Sequence, residues 1–374
     1  MSDDDCSLNG ICTDKTCVCD PGWLGADCGQ LDVRPGPRAN GYNRTGEGTS
    51  SWCNDIIHDP VNPAVFHSFV SEFTHGCGLD YWSPYSRIIR AESTSGPMGP
   101  YEYKQEIVPT FSHNPSVVWS EAEKRYLLYN IGCNITLPAI GCTNMNFSCG
   151  AGNVLHGESG ISVWSSPDLR HWKPHGQVFR GANNCSWDAD VTNPSPFILH
   201  SHPHESSSSI LLAYRSCPFN CYEGEVINIA KASHLSGPYA KISSMKPIFP
   251  EASEDPFIWR DKRGNFHMLV HSVLSDAGFG DGPNVGRHAY ARSWDGKWNF
   301  NLRSVAFNTT VDFADGSTIN YYRRERPTIF FSEEGLMTPL YLSTGVQEVD
   351  SSQSYSLIQP VGDRAVVYEK SIGF

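Results

Sequence analysis

Four stretches of the chain repeat one unit, an apolar strand that runs into serine and then into a turn ending in an aromatic residue: IIRAESTSGPMGPY (88–101), ISVWSSPDLRHW (161–172), IAKASHLSGPY (229–239) and HAYARSWDGKW (288–298). Short apolar runs separated by Gly, Pro, Asn and Ser turns are typical of antiparallel strands. Helical periodicity is scarce outside them. The sequence therefore predicts an all-β fold.

A second unit consists of two polar residues, a proline and then apolar residues. It occurs four times: His113-Asn114-Pro115, Thr192-Asn193-Pro194, Glu254-Asp255-Pro256 and Glu325-Arg326-Pro327. An apolar run follows each one, and SWCND (51–55) with FHSFVSEF (66–73) supplies a first copy. Five ordered copies predict a five-bladed β-propeller, whose radial repetition protects the strand edges. A two-sheet sandwich is the alternative, and it does not explain the fixed order of the units.

The first strand of each propeller blade lines the central channel, so the polar pairs are predicted to meet at one mouth of it. Polar groups are costly to bury unless they are paired or used. The other interpretation is that the Asn-Pro pairs only cap turns. Adjacent Glu254 and Asp255 indicate a functional role and not only turn capping, because clustered carboxylates repel each other. The candidate sugar contacts are Trp52, His113, Asn114, Asn193, Glu325 and Arg326.

Composition excludes several classes of function. The 374 residues include 28 Lys and Arg against 40 Asp and Glu, a net charge of −12, with no dense basic run. This balance argues against nucleic acid or an anionic membrane as partner. No apolar stretch approaches the roughly 18 residues that a membrane span needs. The 12% of aromatic residues can fill a large core, which excludes global disorder.

Cysteines and glycosylation sequons predict a secreted, extracellular protein. Thirteen cysteines are many for a cytosolic chain of this length. No apolar leader follows Met1, and we interpret this start as a mature or trimmed form. Five N-x-Ser/Thr sequons are the candidate glycosylation sites: Asn43, Asn134, Asn146, Asn184 and Asn308.

The first 30 residues resemble an EGF-like module, through C-x-C (17–19) followed by PGWLGADC (21–28). Such modules have six cysteines, and the first one is missing here, so the chain is expected to begin inside the module. The resemblance implies pairs Cys6–Cys17 and Cys19–Cys28 and leaves Cys12 alone. The pairing of the other eight cysteines stays open, with Cys142–Cys149 and Cys217–Cys221 as candidate short loops. We expect a module at 1–30, a linker at 31–47 and the propeller at 48–374.

The propeller region, with VWSSPDLRHW, SWDGKW and a Glu-x-Pro strand opening, resembles glycoside hydrolase family 43. The resemblance implies an inverting glycosidase of the arabinofuranosidase, xylosidase or galactosidase range, with a general acid, a general base and a pKa-tuning Asp at the axis. Glu254 matches the acid, and Asp55 or Asp255 is the candidate base. The tuning position falls on Asn114 or Asn193, where an amide cannot supply negative charge, so either Asp188, Asp190 or Asp255 substitutes or the mechanism differs from that of the family.

Two other functions remain open. A carbohydrate-binding or adhesion propeller without catalysis would explain the missing carboxylate, and the EGF-like module could then bind an extracellular protein. A sugar lyase would use His113 as its base. No cofactor is expected to be required, although a structural calcium ion near His271 is a candidate because some related propellers have a channel ion.

Overall fold

A computed structural model describes residues 1–132, 141–142, 160–181, 186–200, 208–218, 224–273, 285–332 and 335–374. The N-terminal module contains two antiparallel strand pairs: β1 (Gly10–Thr13) with β2 (Thr16–Cys19), and β3 (Trp23–Leu24) with β4 (Gln30–Leu31). Short helices are α1 (Trp82–Tyr85), α2 (Arg364–Ile372) and 3-10 turns at Asp3–Cys6, Thr45–Glu47 and Leu79–Tyr81.

Five antiparallel sheets follow the module, each built from consecutive strands, and they confirm the five-bladed propeller. Blade one has β5 (Ser51–His58), β6 (Phe66–Phe73), β7 (Ser86–Ser93) and β8 (Glu102–Val108). Blade two has β9 (Ser112–Ser120), β10 (Arg125–Gly132), β11 (Gly160–Ser166) and β12 (Lys173–Arg180). Blade three has β13 (Asp190–His200), β14 (Ser208–Cys217), β15 (Val226–Ala232) and β16 (Ala240–Lys241).

Blade four has β17 (Ser253–Arg260), β18 (Phe266–Ser272), β19 (Gly286–Ala291) and β20 (Asn299–Phe300). A separate pair, β21 (Thr310–Asp312) with β22 (Thr318–Asn320), leads into blade five. Blade five has three strands, β23 (Arg323–Phe331), β24 (Pro339–Gln347) and β25 (Ser354–Pro360). The absent fourth strand corresponds to the repeat unit that is missing from the last copy.

Apolar side chains fill the space between every two neighbouring blades, including the last and the first. Adjacent residues of one strand point to opposite faces of a sheet, so alternate side chains of the second strand of a blade contact the two neighbouring blades. Examples for the junctions one–two, two–three, three–four, four–five and five–one are Phe69 with Leu128, Leu127 with Leu212, Leu211 with Met268, Leu269 with Leu342, and Tyr341 with Phe66.

The segment that precedes blade one covers the outer edge of blade five. Tyr42 forms an antiparallel bridge with Ser356, and Val33 forms one with Val361. The Tyr42 amide donates to the Ser356 carbonyl at 3.0 Å, and Tyr42 is fully buried. Segment 31–47, which the sequence predicts to be a linker, is therefore built into the propeller and joins the two ends of the ring.

The N-terminal module packs against blade four. Trp23 stacks on Trp259 with ring centroids 6.3 Å apart. Asp27 accepts hydrogen bonds from Asn301 Nδ2 at 3.0 Å and Ser304 Oγ at 2.6 Å. The module is thus fixed on the propeller by both apolar and polar contacts.

Disulfides connect Cys6 to Cys17 and Cys19 to Cys28, the pairing that the EGF-like resemblance implies, and Cys12 is free. The suggested short loop between Cys142 and Cys149 is wrong, because Cys142 pairs with Cys77 instead.

Of the five sequons, Asn43 and Asn308 are exposed in the structure. Asn134, Asn146 and Asn184 lie outside the described residues. In the described part of the chain, no helix has the length and apolar character needed to cross a membrane.

Ring closure by segment 31–47 can be tested at Gly41, which has φ +63° and lies against the Ser356 carbonyl oxygen, where an added Cβ would collide. We expect Gly41→Ala to lower the free energy of unfolding by more than about 2 kcal/mol in urea denaturation. The control is Gly46→Ala, where a Cβ meets nothing within 4 Å. Equal stability of the two variants would contradict the packing of this segment on blade five.

Candidate active site

Each blade bends its innermost strand at the same place. In the innermost strand of each blade, one non-glycine residue has a positive φ, between 48° and 55°: Cys53, Asn114, Asn193, Asp255 and Arg326. The pairing with the second strand skips at these residues, which defines a β-bulge. Asn and Asp tolerate this left-handed conformation best. Proline follows in four blades because a bulged residue need not donate to the ladder.

The five bulge residues are connected to one another, and we call them the hub ring. Cys53 Sγ donates to Asn114 Oδ1 at 3.6 Å, and Asn114 Nδ2 donates to Asn193 Oδ1 at 2.7 Å. Asn193 Nδ2 donates to Asp255 Oδ1 at 2.7 Å. The Arg326 amide donates to Asp255 Oδ2 at 3.1 Å, and its Nη1 lies 3.5 Å from Asp255 Oδ1. Arg326 is therefore the cationic partner of Asp255.

The residues next to the hub ring bring several acids together. Glu254, Asp255, His271 and Glu325, which we call the acidic cluster, are all buried and offer donor atoms within 4.8 Å of one another. His271 Nδ1 lies 2.9 Å from Glu254 Oε1, and its Nε2 lies 3.9 Å from Glu325 Oε1. One imidazole thus bridges the carboxylates of two neighbouring blades.

Blade three adds a buried ion pair beside the acidic cluster. Arg215 Nη2 lies 2.8 Å from Glu225 Oε1, and Arg215 Nε lies 4.0 Å from Glu254 Oε2. Arg215 comes from β14, and Glu225 directly precedes β15. The acids of the site therefore have two different kinds of partner, an imidazole and a guanidinium.

The acids of the site have different pKa values: that of Glu254 is lowered and those of the other three are raised. Burial alone would raise the pKa of Glu254, but hydrogen bonding and charge from His271, with Arg215, hold it at about 2. Burial and the neighbouring Glu254 charge raise the pKa of Asp255 to about 7. Burial also raises the pKa of Glu225 and of Glu325. His271 is the opposite case: burial would lower its pKa, but Glu325 and Glu254 raise it to about 9.

The low pKa of Glu254 bears on its predicted role. A general acid must be protonated before the reaction, and the family resemblance in the sequence implies that role for Glu254. In the structure the low pKa of Glu254 favours its ionised form beside His271, whereas the pKa values of the neighbouring acids are raised. Such a divergence of pKa values within one carboxylate group is the arrangement that acid–base catalysis uses.

Asp55, the candidate base of blade one, lies at a contact between blades. Its Oδ2 accepts a hydrogen bond from the Val117 backbone amide at 2.6 Å. Burial raises its pKa to about 6, against the effect of that bond. Ser195 makes the equivalent contact between blades three and four, where its Oγ accepts from the Ile258 amide at 3.0 Å. Asp55 therefore joins blade one to blade two by a hydrogen bond and is not part of the acidic cluster.

Blades one and two contribute two aromatic rings to the hub, Trp52 and His113. Trp52 is 4% exposed and packs with Phe73 and over Gly345. The His113 ring lies 4.9 Å from that of Trp82, and its Nδ1 lies 2.8 Å from Ser86 Oγ. Burial, with the nearby Arg326 charge, lowers the pKa of His113 to about 3, which favours the neutral imidazole.

Sequence reasoning missed Arg215 and Glu225 as members of the site. A usable signal exists for Arg215, because in blades three and four the residue paired with the one before the bulge also belongs to the site. Thr192 pairs with Arg215 and Glu254 pairs with His271. An alignment of the apolar runs ILLAYRS (210–216) and FHMLVHS (266–272) places this Arg and His in the same column. Glu225 carries no such signal, since it lies outside the repeated units of the sequence.

Comparison with known proteins agrees with both parts of this architecture. Residues 2–30 match the family described as Teneurin-like EGF domain. No protein with a curated description matches the chain.

Solved structures resemble the chain over nearly its full length. Zg3597, a family 117 glycoside hydrolase from Zobellia galactanivorans, has a TM-score of 0.58 at 15% identity, with 92% of this chain and 91% of that chain covered. The α-L-arabinofuranosidase PaAbf62A from Podospora anserina has a TM-score of 0.56 at 12% identity, with 88% and 96% covered. A thermostable family-43 glycoside hydrolase has a TM-score of 0.52 at 12% identity, with 84% and 93% covered. The chain therefore has the five-bladed propeller fold of these glycoside hydrolases, preceded by an EGF-like module.

The contacts of His271 with Glu254 and Glu325 predict a specific pH dependence. Because the pKa of His271 rises from 6.5 to about 9 on folding, its contribution to stability is complete below pH 6.5 and is lost as the pH rises through 9. We expect an NMR titration of the His271 ring, in protein treated with a chelator, to show a midpoint near 9.

Glu254→Gln should lower that midpoint by more than about one unit, because a charge and a hydrogen bond are lost. The matched control is Glu102→Gln, which changes an exposed carboxylate of blade one and should leave the titration as it is. A His271 midpoint that is the same in both variants would contradict the bridge.

Proposed function

We propose that the protein is a secreted glycosidase that cleaves O-glycosyl bonds of a polysaccharide or glycan at the propeller hub. The observation that carries the proposal is the acidic cluster, in which three buried carboxyl groups lie within 4.8 Å of one another and the low pKa of Glu254 contrasts with the raised pKa values of its neighbours. Hydrolysis of a glycosidic bond needs one carboxylic acid to protonate the leaving oxygen and one carboxylate to act as base or nucleophile. The fold that the chain shares with glycoside hydrolases supports the same class of reaction.

The two sides of the hub suit the two faces of a sugar. Trp52 and neutral His113 provide an apolar wall, on which the C–H face of a sugar ring can stack. Glu254 and Glu325 come from blades four and five and provide acceptors and protons on the other side. Of the acids in the cluster, these two retain the most exposure, 7% and 8%, so they are the ones that a bound sugar reaches first.

The spacing of the carboxylates determines which stereochemistry to test. An inverting pair lies roughly 6.5–9.5 Å apart to admit water, and a retaining pair lies about 5–5.5 Å apart. The acidic cluster is tighter than the inverting range, since its donor atoms lie within 4.8 Å. Inversion, which the family resemblance implies, therefore needs a base outside the cluster such as Asp55. Retention would use Glu254 with Glu325.

Glu254 is the residue whose removal tests the hydrolase proposal. We expect Glu254→Gln to reduce kcat on a reactive aryl glycoside by at least about 10²-fold, because an amide cannot act as a general acid or base. Binding of the sugar should persist, since the amide keeps the shape of the side chain. Aryl glycosides of arabinofuranose, xylose, galactose and rhamnose would identify the sugar.

Glu102→Gln is the matched control and should keep full activity. Turnover that Glu254→Gln leaves unchanged would exclude Glu254 from the chemistry. NMR of the first product anomer, together with Asp55→Asn, distinguishes the two stereochemical outcomes. An inverted product and an inactive Asp55→Asn variant would identify Asp55 as the base.

A carbohydrate-binding propeller without catalysis is the second candidate. It is favoured by the hub ring, where blades one, two and three contribute Cys53, Asn114 and Asn193 instead of carboxylates. Saturable binding of an oligosaccharide without turnover of any aryl glycoside would establish it. An adhesion role would also involve the EGF-like module, whose Ile11 and Val18 face each other across β1 and β2 and are 51% and 60% exposed.

Calcium near His271 remains a proposal. The three carboxylates of the acidic cluster would supply oxygen ligands, which calcium prefers. The imidazole is not an oxygen ligand, and His271 already provides positive charge to Glu254 and Glu325. We derive no catalytic step from an ion at this place.

A further inference from the structure

A cavity of about 340 Å³ lies away from the acidic cluster, where three parts of the chain meet. Its walls come from residues 30–35 after the module, residues 304–312 after blade four, and Arg324 and Gln359 of blade five. Segment 30–35 and blade five are held together by the Arg34 amide, which donates to the Pro360 carbonyl at 2.8 Å. The cavity therefore exists only in the assembled protein.

Arg324 is a buried cation in the wall of this cavity. It is 2% exposed, and its three hydrogen bonds go to neutral acceptors. Nε donates to Thr344 Oγ1 at 3.3 Å, Nη1 to the Asn308 carbonyl at 3.0 Å, and Nη2 to Gln359 Oε1 at 2.7 Å. Among the described residues, no carboxylate lies within ion-pair distance of Arg324.

A guanidinium in this position is expensive without a counter-ion. Moving one charge out of water costs several kcal/mol even after relaxation, and neutral acceptors return only part of it. The Phe307 ring, with its centroid 5.1 Å away, adds a cation–π contact. Burial lowers the pKa of Arg324 to about 10, so it remains charged at neutral pH.

The hydrogen bonds of Arg324 hold its guanidinium group in place. A guanidinium has five N–H groups, and the bonds to described residues use three, one on each nitrogen. One N–H on each of the two terminal nitrogens is left for a further acceptor, and a carboxylate or sulfate group can accept such a pair in parallel. Gln359 is itself fixed, because its Nε2 donates to the Arg34 carbonyl at 3.3 Å and the Asp312 carbonyl at 3.4 Å.

Two other charged side chains line the cavity. Arg34 is about half exposed and pairs with Asp32 at 2.7 Å. Asp312 is exposed at the rim and accepts from Thr318 Oγ1 at 2.7 Å. The cavity lining therefore contains two guanidinium groups and one carboxylate; Arg34 and Asp312 reach the solvent, and Arg324 is the buried charge.

We propose that this cavity binds the carboxylate or sulfate group of a small acidic saccharide, with Arg324 as the buried counter-ion. The volume lies at the lower end of the range for ligand pockets, roughly 300–1,000 Å³, and suits one sugar ring. Phe307, Leu31 and Val33 provide apolar surface for the ring. This site is separate from the acidic cluster and does not depend on glycosidase activity.

Isothermal titration of the full chain tests the proposal with three probes: glucuronate, galactose 6-sulfate and uncharged glucose. We expect saturable binding of at least one anionic sugar and none of glucose. The anion that binds more tightly identifies the source of the charge. Arg324→Gln should weaken that binding by about tenfold or more, because the charged hydrogen bonds are lost.

Two further variants locate the binding. Thr310→Glu adds a negative charge at an exposed position of the lining, so it should fold normally and weaken the anion even if Arg324→Gln does not fold; the comparison is with Thr310→Gln, which removes the Asn308 sequon in the same way without adding charge. Glu254→Gln alters the acidic cluster and should leave the affinity unchanged. The proposal is overturned if neither anionic sugar binds, if Thr310→Glu has no effect, or if Glu254→Gln and not Thr310→Glu changes the affinity.

Discussion

A single backbone constraint recurs in every blade: the inner strand must place one residue in the left-handed conformation at a β-bulge. This bend turns the side chains of five distant segments toward one axis, where Asn114, Asn193 and Asp255 bond to one another. The constraint is costly for Arg326 and Cys53, because residues with larger or non-amide side chains rarely adopt positive φ. Packing between the blades must compensate for that cost, so the geometry of the hub depends on the integrity of the whole ring.

Ring closure explains why the N-terminal part of the chain belongs to the propeller. Blade five lacks an outer strand, and a bare edge would expose unpaired backbone groups. Tyr42 and Val33 pair with that edge, and the EGF-like module then packs on blade four through Trp23. The same arrangement forms the cavity around Arg324. A small disulfide-bonded module thus contributes to the stability and the shape of the domain that follows it.

Charge is distributed unevenly around the axis. Blades three, four and five supply Arg215, Glu254, His271 and Glu325, whereas blades one and two supply Trp52 and a neutral His113. Because the charged groups pair with one another in a buried environment, each pKa is determined by its neighbours more than by its own residue type. This explains how the pKa of Glu254 is lowered while those of Glu225 and Glu325 in the same hub are raised.

Repetition in the sequence was enough to determine the fold class, the number of blades and the hub residues, because period-two strands and Pro-marked bulges are local properties. The EGF-like cysteine spacing likewise predicted the Cys6–Cys17 and Cys19–Cys28 bonds. Only the tertiary structure decided which groups pair. It directed Asp55 to the Val117 amide, Arg326 to Asp255 and Cys142 to Cys77, and it added Glu225 and the Arg324 cavity. Such pairings join residues that are far apart in the chain, so no local pattern encodes them.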